Sequence, residues 1–315
     1  MSITRIDHVG ILAGELEDGR HVFGDGWGLS VDEHRSPWPE GRSGTFDDVT
    51  SIEMPIGEMY IEISKPNDPN SPAGKFVEER RAGLYYISFA SNDIKTDVAA
   101  LQTKGVKLDG AWDGTSPVML DPDSTLGIRI QITPEEHYFA HPFYKGNGLL
   151  QGMAHIGLAA RNAEEVRGLW GGVFGFREDK TMERGQDGPS EDRDLSRAAS
   201  DPVHLLEYPV GGSVIEISIP TTPDSGTAKL VAQRAAQGAT FHHICPFAFD
   251  THQAVDDGKA AGLQQIGSIP PREETKQVVA WFHPRTCVGT LIEIWNRPAG
   301  GAHHEHGTHP GPGND

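Results

Sequence analysis

The chain has 315 residues, 37% of them hydrophobic, which favours two domains of about 150 residues, each with its own core. A formal net charge of −18 argues against binding to nucleic acid or to an anionic membrane surface, and no apolar run is long enough for a transmembrane helix. Two cysteines exclude a disulfide framework, and with no signal-peptide pattern at the N-terminus we expect a cytoplasmic protein.

The predicted strands of the first half are of two alternating kinds. One kind is apolar and begins beside a histidine or tyrosine, and the other has a polar residue at its centre. In chain order these strands are Ile6–Ile11, Tyr60–Ile63, Leu84–Phe89 and Arg129–Ile132. Each is short and rich in β-branched or aromatic residues, as strands usually are. After the third strand, Asp93 is expected to cap a helix that runs from Ile94 to Lys104.

The second half repeats this order of elements after a predicted linker at residues 140–152. Asn162 followed by Glu165 resembles a capping box that opens a helix, and Asp250 is expected to cap another. The predicted strands are Met153–Leu158, Val203–Tyr208, Val214–Ile219, Phe241–Pro246, Val278–His283 and Leu291–Trp295. Residues 183–201 are expected to form an exposed loop, and the His-, Gly- and Pro-rich residues 298–315 a disordered tail.

The alternation of strands indicates four homologous units arranged as two pairs. Each strand of the first half has a counterpart about 150 residues later, and the offset grows slowly, as small insertions would cause. Each unit has the pattern of a strand, a helix and three further strands. We therefore predict an α+β protein with an N-terminal domain at residues 1–139 and a C-terminal domain at residues 153–297.

Four polar side chains occupy equivalent positions in the units of the second half. His155 and His243 lie near the start of apolar strands, whereas Glu216 and Glu293 each stand between two isoleucines. A carboxylate in such a strand must face water, a partner or a metal ion, because burying it alone is costly. Two imidazoles and two carboxylates suit a divalent ion such as Zn²⁺, Mn²⁺, Co²⁺, Ni²⁺ or Fe²⁺. We predict that one such ion binds to these four side chains.

The equivalent positions of the first half are less suited to a metal ion. His8 and Glu62 match the pattern, but Tyr86 and Gln131 replace the second histidine and the second glutamate. A neutral phenol is a poor ligand for most divalent ions, and an amide is weaker than a carboxylate. We expect this half to bind no metal, and a hydrogen bond between Glu62 and Tyr86 is the alternative arrangement.

These patterns resemble the vicinal-oxygen-chelate superfamily, which includes glyoxalases, bleomycin-resistance proteins and extradiol dioxygenases. Within it the chain is most similar to methylmalonyl-CoA epimerases, and the likeness extends to about Asn296. The segments that carry it are Asp7–Ile11, Asn70–Leu84, Phe241–Ile244 and Phe282–Glu293. The resemblance implies two tandem glyoxalase-like domains, each of two βαβββ units whose curled mixed sheet surrounds a central cavity. It also implies that each unit gives one metal ligand from its first strand and one from its last.

The resemblance implies a divalent-metal-dependent isomerase, epimerase or lyase. Such an enzyme chelates a small substrate through two oxygens and moves a proton α to a carbonyl through an enolate. Glu293 and Glu216 are the expected catalytic carboxylates. Candidates for contacting the substrate are His204, Tyr208, His242 and Arg197. For His242, packing is the competing explanation, because alternation along a strand lets only one of two neighbouring histidines face inward.

Two other functions stay open from the sequence. An extradiol dioxygenase would cleave a catechol ring with Fe²⁺ on two histidines and one carboxylate. Glu216 as a fourth potential ligand weighs against it, as does the lack of a Tyr and a downstream Pro-Gly pattern between His283 and Glu293. A non-catalytic binding protein of the same fold would not need a metal. A homodimer is compatible with all three functions.

Overall fold

The computed structural model describes residues 1–136, 148–179, 201–272 and 278–296. The strands of the first half are β1 (Ile3–Leu12), β2 (Arg42–Ser43), β3 (Val49–Ile56), β4 (Met59–Pro66), β5 (Gly83–Ser91), β6 (Val118–Met119) and β7 (Ile130–Pro134). Its helices are α1 (Leu16–Arg20, continued by a π-helical segment at His21–Asp25), α2 (Pro72–Arg80) and α3 (Ile94–Thr103).

The second half repeats these elements. Its strands are β8 (Leu150–Ala160), β9 (Val203–Val210), β10 (Ser213–Pro220), β11 (Ala239–Ala248), β12 (Gln265–Ile266), β13 (Val279–Phe282) and β14 (Leu291–Asn296). Its helices are α4 (Ala163–Val166, continued by a π-helical segment at Arg167–Val173), α5 (Gly226–Arg234) and α6 (Thr251–Ala260). Among the described residues, no helix is long and apolar enough to cross a membrane.

Each half forms one seven-stranded mixed sheet, with the strand orders β2-β3-β4-β1-β5-β7-β6 and β12-β13-β14-β11-β8-β10-β9. At the centre of each sheet the first strands of two units pair antiparallel, β1 with β5 and β8 with β11. Each first strand also pairs in parallel with the last strand of its own unit. The predicted fold of two tandem glyoxalase-like domains is thus confirmed, and the strands that carry the predicted ligands lie side by side.

Helix starts follow the sequence signals closely. The side chains of Asp93, Asn162 and Asp250 accept hydrogen bonds from backbone N–H groups in the first turns of α3, α4 and α6. These bonds satisfy donors that a helix start leaves unpaired. The predicted linker is too long at its C-terminal end, because Leu150 already pairs with Ala248 of β11. Residues 140–147, 183–200 and 298–315 lie outside the described part of the chain.

Aromatic side chains of each half pack against elements of the other half. Trp27, just after α1, is 1% exposed, and its indole N–H donates to the carbonyl oxygen of Ala254 in α6 at 2.9 Å. Its ring packs edge-on against Phe282 of β13 at a centroid distance of 5.2 Å. Reciprocally, Trp170 of the second half packs against Phe89 of β5. Buried residues of both halves therefore belong to one continuous hydrophobic core.

Candidate metal centre

The four predicted ligands of the second half meet in one cluster on the adjacent strands β14, β11, β8 and β10. Nε2 of His155 lies 2.8 Å from Nε2 of His243 and 3.2 Å from Oε2 of Glu293. The same Glu293 oxygen lies 3.1 Å from Nε2 of His243. One carboxylate oxygen of Glu216 lies 3.9 Å from both Nε2 atoms. All four side chains are mostly or fully buried, so their donor atoms face one another rather than water.

These separations fit donors that surround a single ion. Ligand atoms about 2.1 Å from a metal lie about 3.0 Å apart along an octahedral edge and about 3.4 Å apart along a tetrahedral one. His155, His243 and Glu293 are separated by 2.8 to 3.2 Å, close to the octahedral value. Glu216, at 3.9 Å, lies slightly outside that spacing. The cluster is a triad of two histidines and one carboxylate, with a second carboxylate set back from it.

Burial and neighbouring groups shift the pKa values of the clustered side chains in different directions. Burial opposes charge on His155, but the neighbouring Cys245 and Glu216 raise its pKa well above the usual range. Burial alone would raise the pKa of Glu293, yet hydrogen bonds with His155 and His243 hold it well below the usual range. Burial lowers the pKa of His243. A cation bound here displaces the proton on His155, so we expect metal binding to weaken at acid pH.

A glycine makes room for the ring of His243. Gly157 of β8 pairs with His243 across the two central strands, and a Cβ atom at Gly157 would overlap the imidazole ring. The first half has the same arrangement, since a Cβ atom at Gly10 would overlap the ring of Tyr86. The first strand of each half, β1 or β8, therefore needs glycine two positions after its histidine, which explains why the pattern His-x-Gly occurs in both halves.

His242 supports His243 from the side away from the cluster. Its Nδ1 lies 2.7 Å from Nδ1 of His243, which leaves Nε2 of His243 directed at His155 and Glu293. Strict alternation predicted that the two histidines would point to opposite faces. A register irregularity between Phe241 and His243 in the pairing with β8 brings the rings together instead. A hydrogen bond to the second nitrogen fixes the tautomer and orientation of a ligand histidine.

Three further side chains that the sequence did not assign to a metal site border the cluster. The rings of Trp281 and Trp295 pack against His243 and His155, at centroid distances of 5.2 and 5.9 Å. Cys245 pairs with His155 across the strands, and burial raises the pKa of its thiol to about 12. The cluster is thus bounded by two aromatic walls and an un-ionised thiol.

Two of the predicted substrate contacts, His204 and Tyr208, lie on β9. Glu207 lies directly across from Glu216 in the strand pairing, so these two carboxylates share one face of the sheet. Because side chains alternate along a strand, His204 and Tyr208 lie on the opposite face. Tyr208 is fully buried in the hydrophobic core. Glu207 is the residue of this strand that faces the cluster, and Arg197 lies outside the described residues.

In the first half, hydrogen bonds close the equivalent site. The hydroxyl of Tyr86 lies 2.7 Å from Nε2 of His8 and donates to the carboxylate of Glu62 at 2.6 Å, as the sequence suggested. Arg42 donates to the other oxygen of Glu62 at 2.7 Å. The guanidinium thus places a positive charge beside a fully buried carboxylate. Gln131 does not join this network, since it bonds to two hydroxyl side chains elsewhere.

The paired sheets define a chain with the vicinal-oxygen-chelate fold in a two-domain form. A variant of 4-hydroxymandelate synthase from Streptomyces coelicolor matches 94% of this chain and 93% of its own, with a TM-score of 0.65 and 13% identity. A fusion of a xylose isomerase-like TIM barrel with 4-hydroxyphenylpyruvate dioxygenase matches 95% of this chain over 50% of its own, with a TM-score of 0.58 and 14% identity. At these identities the likeness shows the fold alone.

Other matches cover about one half of the chain. The uncharacterised Bacillus subtilis protein YqjC is 25% identical over 136 residues, which are 41% of this chain and 91% of that protein. A variant of methylmalonyl-CoA epimerase from Streptomyces coelicolor is 21% identical and matches 48% of this chain and 99% of its own, with a TM-score of 0.35. No family model matches the sequence.

Proposed function

We propose that the chain is an Fe²⁺-dependent dioxygenase that acts on a small substrate held through two oxygens. The observation that carries this proposal is the spacing of 2.8 to 3.2 Å among His155, His243 and Glu293, with Glu216 set back at 3.9 Å. Two histidines and one carboxylate are the ligand set of non-haem Fe²⁺ oxygenases. When bound, the ion would supply electrons for the reduction of O₂ and an open face for the substrate.

The two-domain fold supports an oxygen-dependent reaction. One protein that matches nearly the whole of this chain is named for a dioxygenase, and another for 4-hydroxymandelate synthase. In the sequence alone, an isomerase was the leading expectation, because the chain resembles methylmalonyl-CoA epimerases and Glu216 is a fourth potential ligand. The unequal spacing of those four side chains is what now favours the dioxygenase.

The surrounding residues have separable roles in this proposal. His242 holds His243 with Nε2 turned toward the triad. Trp281 and Trp295 provide flat apolar walls, which exclude water and suit a planar substrate. Glu216 lies beside both histidines, so its Oε1 can accept the proton that a substrate hydroxyl loses on binding.

A metal-dependent isomerase or epimerase is the second candidate, and the position of Glu216 favours it. This carboxylate is close enough to act either as a fourth ligand or as the base that removes a proton α to a carbonyl. Glu207, its cross-strand neighbour, provides a second carboxyl group on the same face. Neither step would consume O₂.

Oxygen consumption separates the two candidates. The protein is loaded anaerobically with Fe²⁺ and then given O₂ with a panel of catechols and aryl 2-oxo acids. We expect one ion per chain and O₂ uptake that depends on both Fe²⁺ and substrate. Exchange of a substrate α-proton for solvent deuterium by the Mn²⁺, Co²⁺ or Zn²⁺ form, with no O₂ uptake by the Fe²⁺ form, would overturn the dioxygenase.

Variants test the ligand set independently of substrate. His243→Ala is expected to abolish metal binding, whereas His8→Ala, the equivalent change in the first half, is expected to leave it intact. Glu216→Gln should retain the ion and slow turnover if the triad is sufficient. A loss of metal affinity of about 10–100-fold in Glu216→Gln would instead support four ligands and the isomerase. Equal loss in the His8 variant would show that the metal binds in the other half.

A further inference from the structure

A small polar cleft of about 50 Å³ lies where the two halves meet. The residues that line it include Phe76, Arg80, Arg234, Phe241 and His242. Part of its wall consists of two backbones in direct contact, because Gly289 has a φ of 68° and leaves no room for a side chain against Ala82. The contact between the halves therefore creates the cleft.

Two arginines in this cleft occupy equivalent positions of the duplicated chain. Arg80 and Arg234 are the last residues of α2 and α5, the helices that connect the two units within each half. Neither forms an ion pair with a carboxylate in the described part of the chain. This is unusual in a protein with 45 acidic and only 27 basic residues, where carboxylates are plentiful.

The two guanidinium groups are close enough to repel each other. Burial, followed by the positive charge of Arg234, lowers the pKa of Arg80. The ring of Phe76 lies 5.0 Å from the guanidinium carbon of Arg80 and holds that side chain along the cleft. Like charges kept together at an interface between halves are costly, and an anion placed between them offsets that cost.

We propose that this cleft binds the phosphate group of a small phosphorylated molecule. Guanidinium groups present planar sets of N–H donors that match phosphate oxygens, and two of them match its charge of about −1.5 to −2. A carboxylate carries a single charge and two oxygens, so one arginine would satisfy it. The rings of Phe76 and Phe241, which line the cleft, offer apolar surface to the rest of the ligand.

Calorimetric titration with inorganic phosphate and with glycerol 3-phosphate tests this site. We expect one saturable site per chain, with the ester binding more tightly and both weakening as salt is added. Arg80→Gln combined with Arg234→Gln should weaken binding by at least about tenfold. The matched control is Lys75→Gln with Lys229→Gln, which removes two exposed charges from the same two helices outside the cleft. Its effect should stay below about twofold.

Several outcomes would overturn the phosphate site. They are the absence of saturable binding, equal weakening in both double variants, and binding of succinate as tight as that of glycerol 3-phosphate. If the glutamine variant does not fold, as judged by circular dichroism, Arg80→Lys with Arg234→Lys replaces it. That pair keeps the charges but loses the planar donor geometry, so binding should still weaken. The titration needs no Fe²⁺, so its failure leaves the proposed dioxygenase untouched.

Discussion

At the scale of single residues, the halves differ in the side chain that occupies the space beside a glycine of the first strand. Gly157 leaves room for the imidazole of His243, and Gly10 leaves room for the phenol of Tyr86. The imidazole directs a nitrogen at other ligand atoms, whereas the phenol donates its proton to Glu62 and fills the site. The residue at this strand position therefore contributes to whether a half presents open donor atoms or a closed network, together with Arg42 and Gln131 in the first half.

Gly157→Ala should test this dependence on space. The added methyl group must displace the ring of His243, so we expect metal affinity to fall by about 10–100-fold. Overpacking of this kind costs about 1–3 kcal/mol of unfolding free energy. Metal titration and urea unfolding measure the two effects. Gly168→Ala is the control, because a Cβ atom there meets nothing within 4 Å. Unchanged metal affinity in the Gly157 variant would refute the steric explanation.

The sequence predicts the four clustered ligands but not their surroundings. His155, Glu216, His243 and Glu293 were recognisable because the repeat places polar residues at equivalent points of apolar strands. The roles of Glu207, Trp281 and Trp295 depend on which residues pair across neighbouring strands. Strand register is set by tertiary packing, and a slip of one residue exchanges the two faces of a strand. For this reason the sequence alone did not reveal that His204 and Tyr208 lie on the face of β9 opposite to Glu207.

At the scale of elements, the short strand β2 supplies the positive charge that pairs with two buried carboxylates. It positions Arg42, whose Nη2 donates to Glu53 at 2.9 Å and to Glu62 at 2.7 Å. Both carboxylates are almost completely buried. Without this guanidinium, Glu62 would remain as a buried charge with only hydroxyl partners.

Arg42→Ala is expected to destabilise the fold by about 3–5 kcal/mol at pH 7, because it removes one partner of a buried ion pair. Burial alone would raise the pKa of Glu53, but Arg35 and Arg42 hold it below the usual range. Such a carboxylate stabilises the fold above its unfolded pKa of about 4.3, and this contribution is lost as pH falls through the lower folded pKa. The deficit of the variant should therefore shrink on acidification.

Urea unfolding of both proteins at pH 7 and at pH 3.5 or so measures that deficit. Arg20→Ala provides the comparison, since its ion pairs with Glu17 and Asp25 are exposed and worth less than about 1 kcal/mol. A deficit for Arg42→Ala that is equally large at both pH values would rule out the buried-charge explanation.

Local signals predicted most elements, and long-range contacts produced the exceptions. Capping residues located the starts of α3, α4 and α6, and short apolar segments located most of the longer strands to within a few residues. The helices α2 and α5 were not predicted. The capping box at Asn162 predicts an α-helix, whereas the structure continues α4 as a π-helix from Arg167. That segment carries Trp170 onto Phe89 of the other half. A contact between residues so far apart in the sequence cannot be predicted from the local spacing of apolar residues.

At the scale of the whole molecule, the two halves have separate sheets but a shared core. Trp27 of the first half donates a hydrogen bond to Ala254 and packs against Phe282 of the second half. Trp170 of the second half packs against Phe89 of the first. The duplicated units therefore explain the topology, but the rings of Trp27 and Trp170 each pack partly against the other half. This interlocking should make unfolding a single cooperative transition.

A metal ion bound in the second half should therefore stabilise the first half as well. At a free Mn²⁺ or Zn²⁺ concentration about 100 times the Kd, binding adds about 2.7 kcal/mol to the unfolding free energy. Tryptophan fluorescence, to which Trp27 contributes, and far-UV circular dichroism should shift together to the same new midpoint. Trp27→Ala should cost about 3–5 kcal/mol through the cavity it leaves, and should separate the two signals. Two transitions in the unmodified chain, only one of them sensitive to metal, would show that the halves unfold independently.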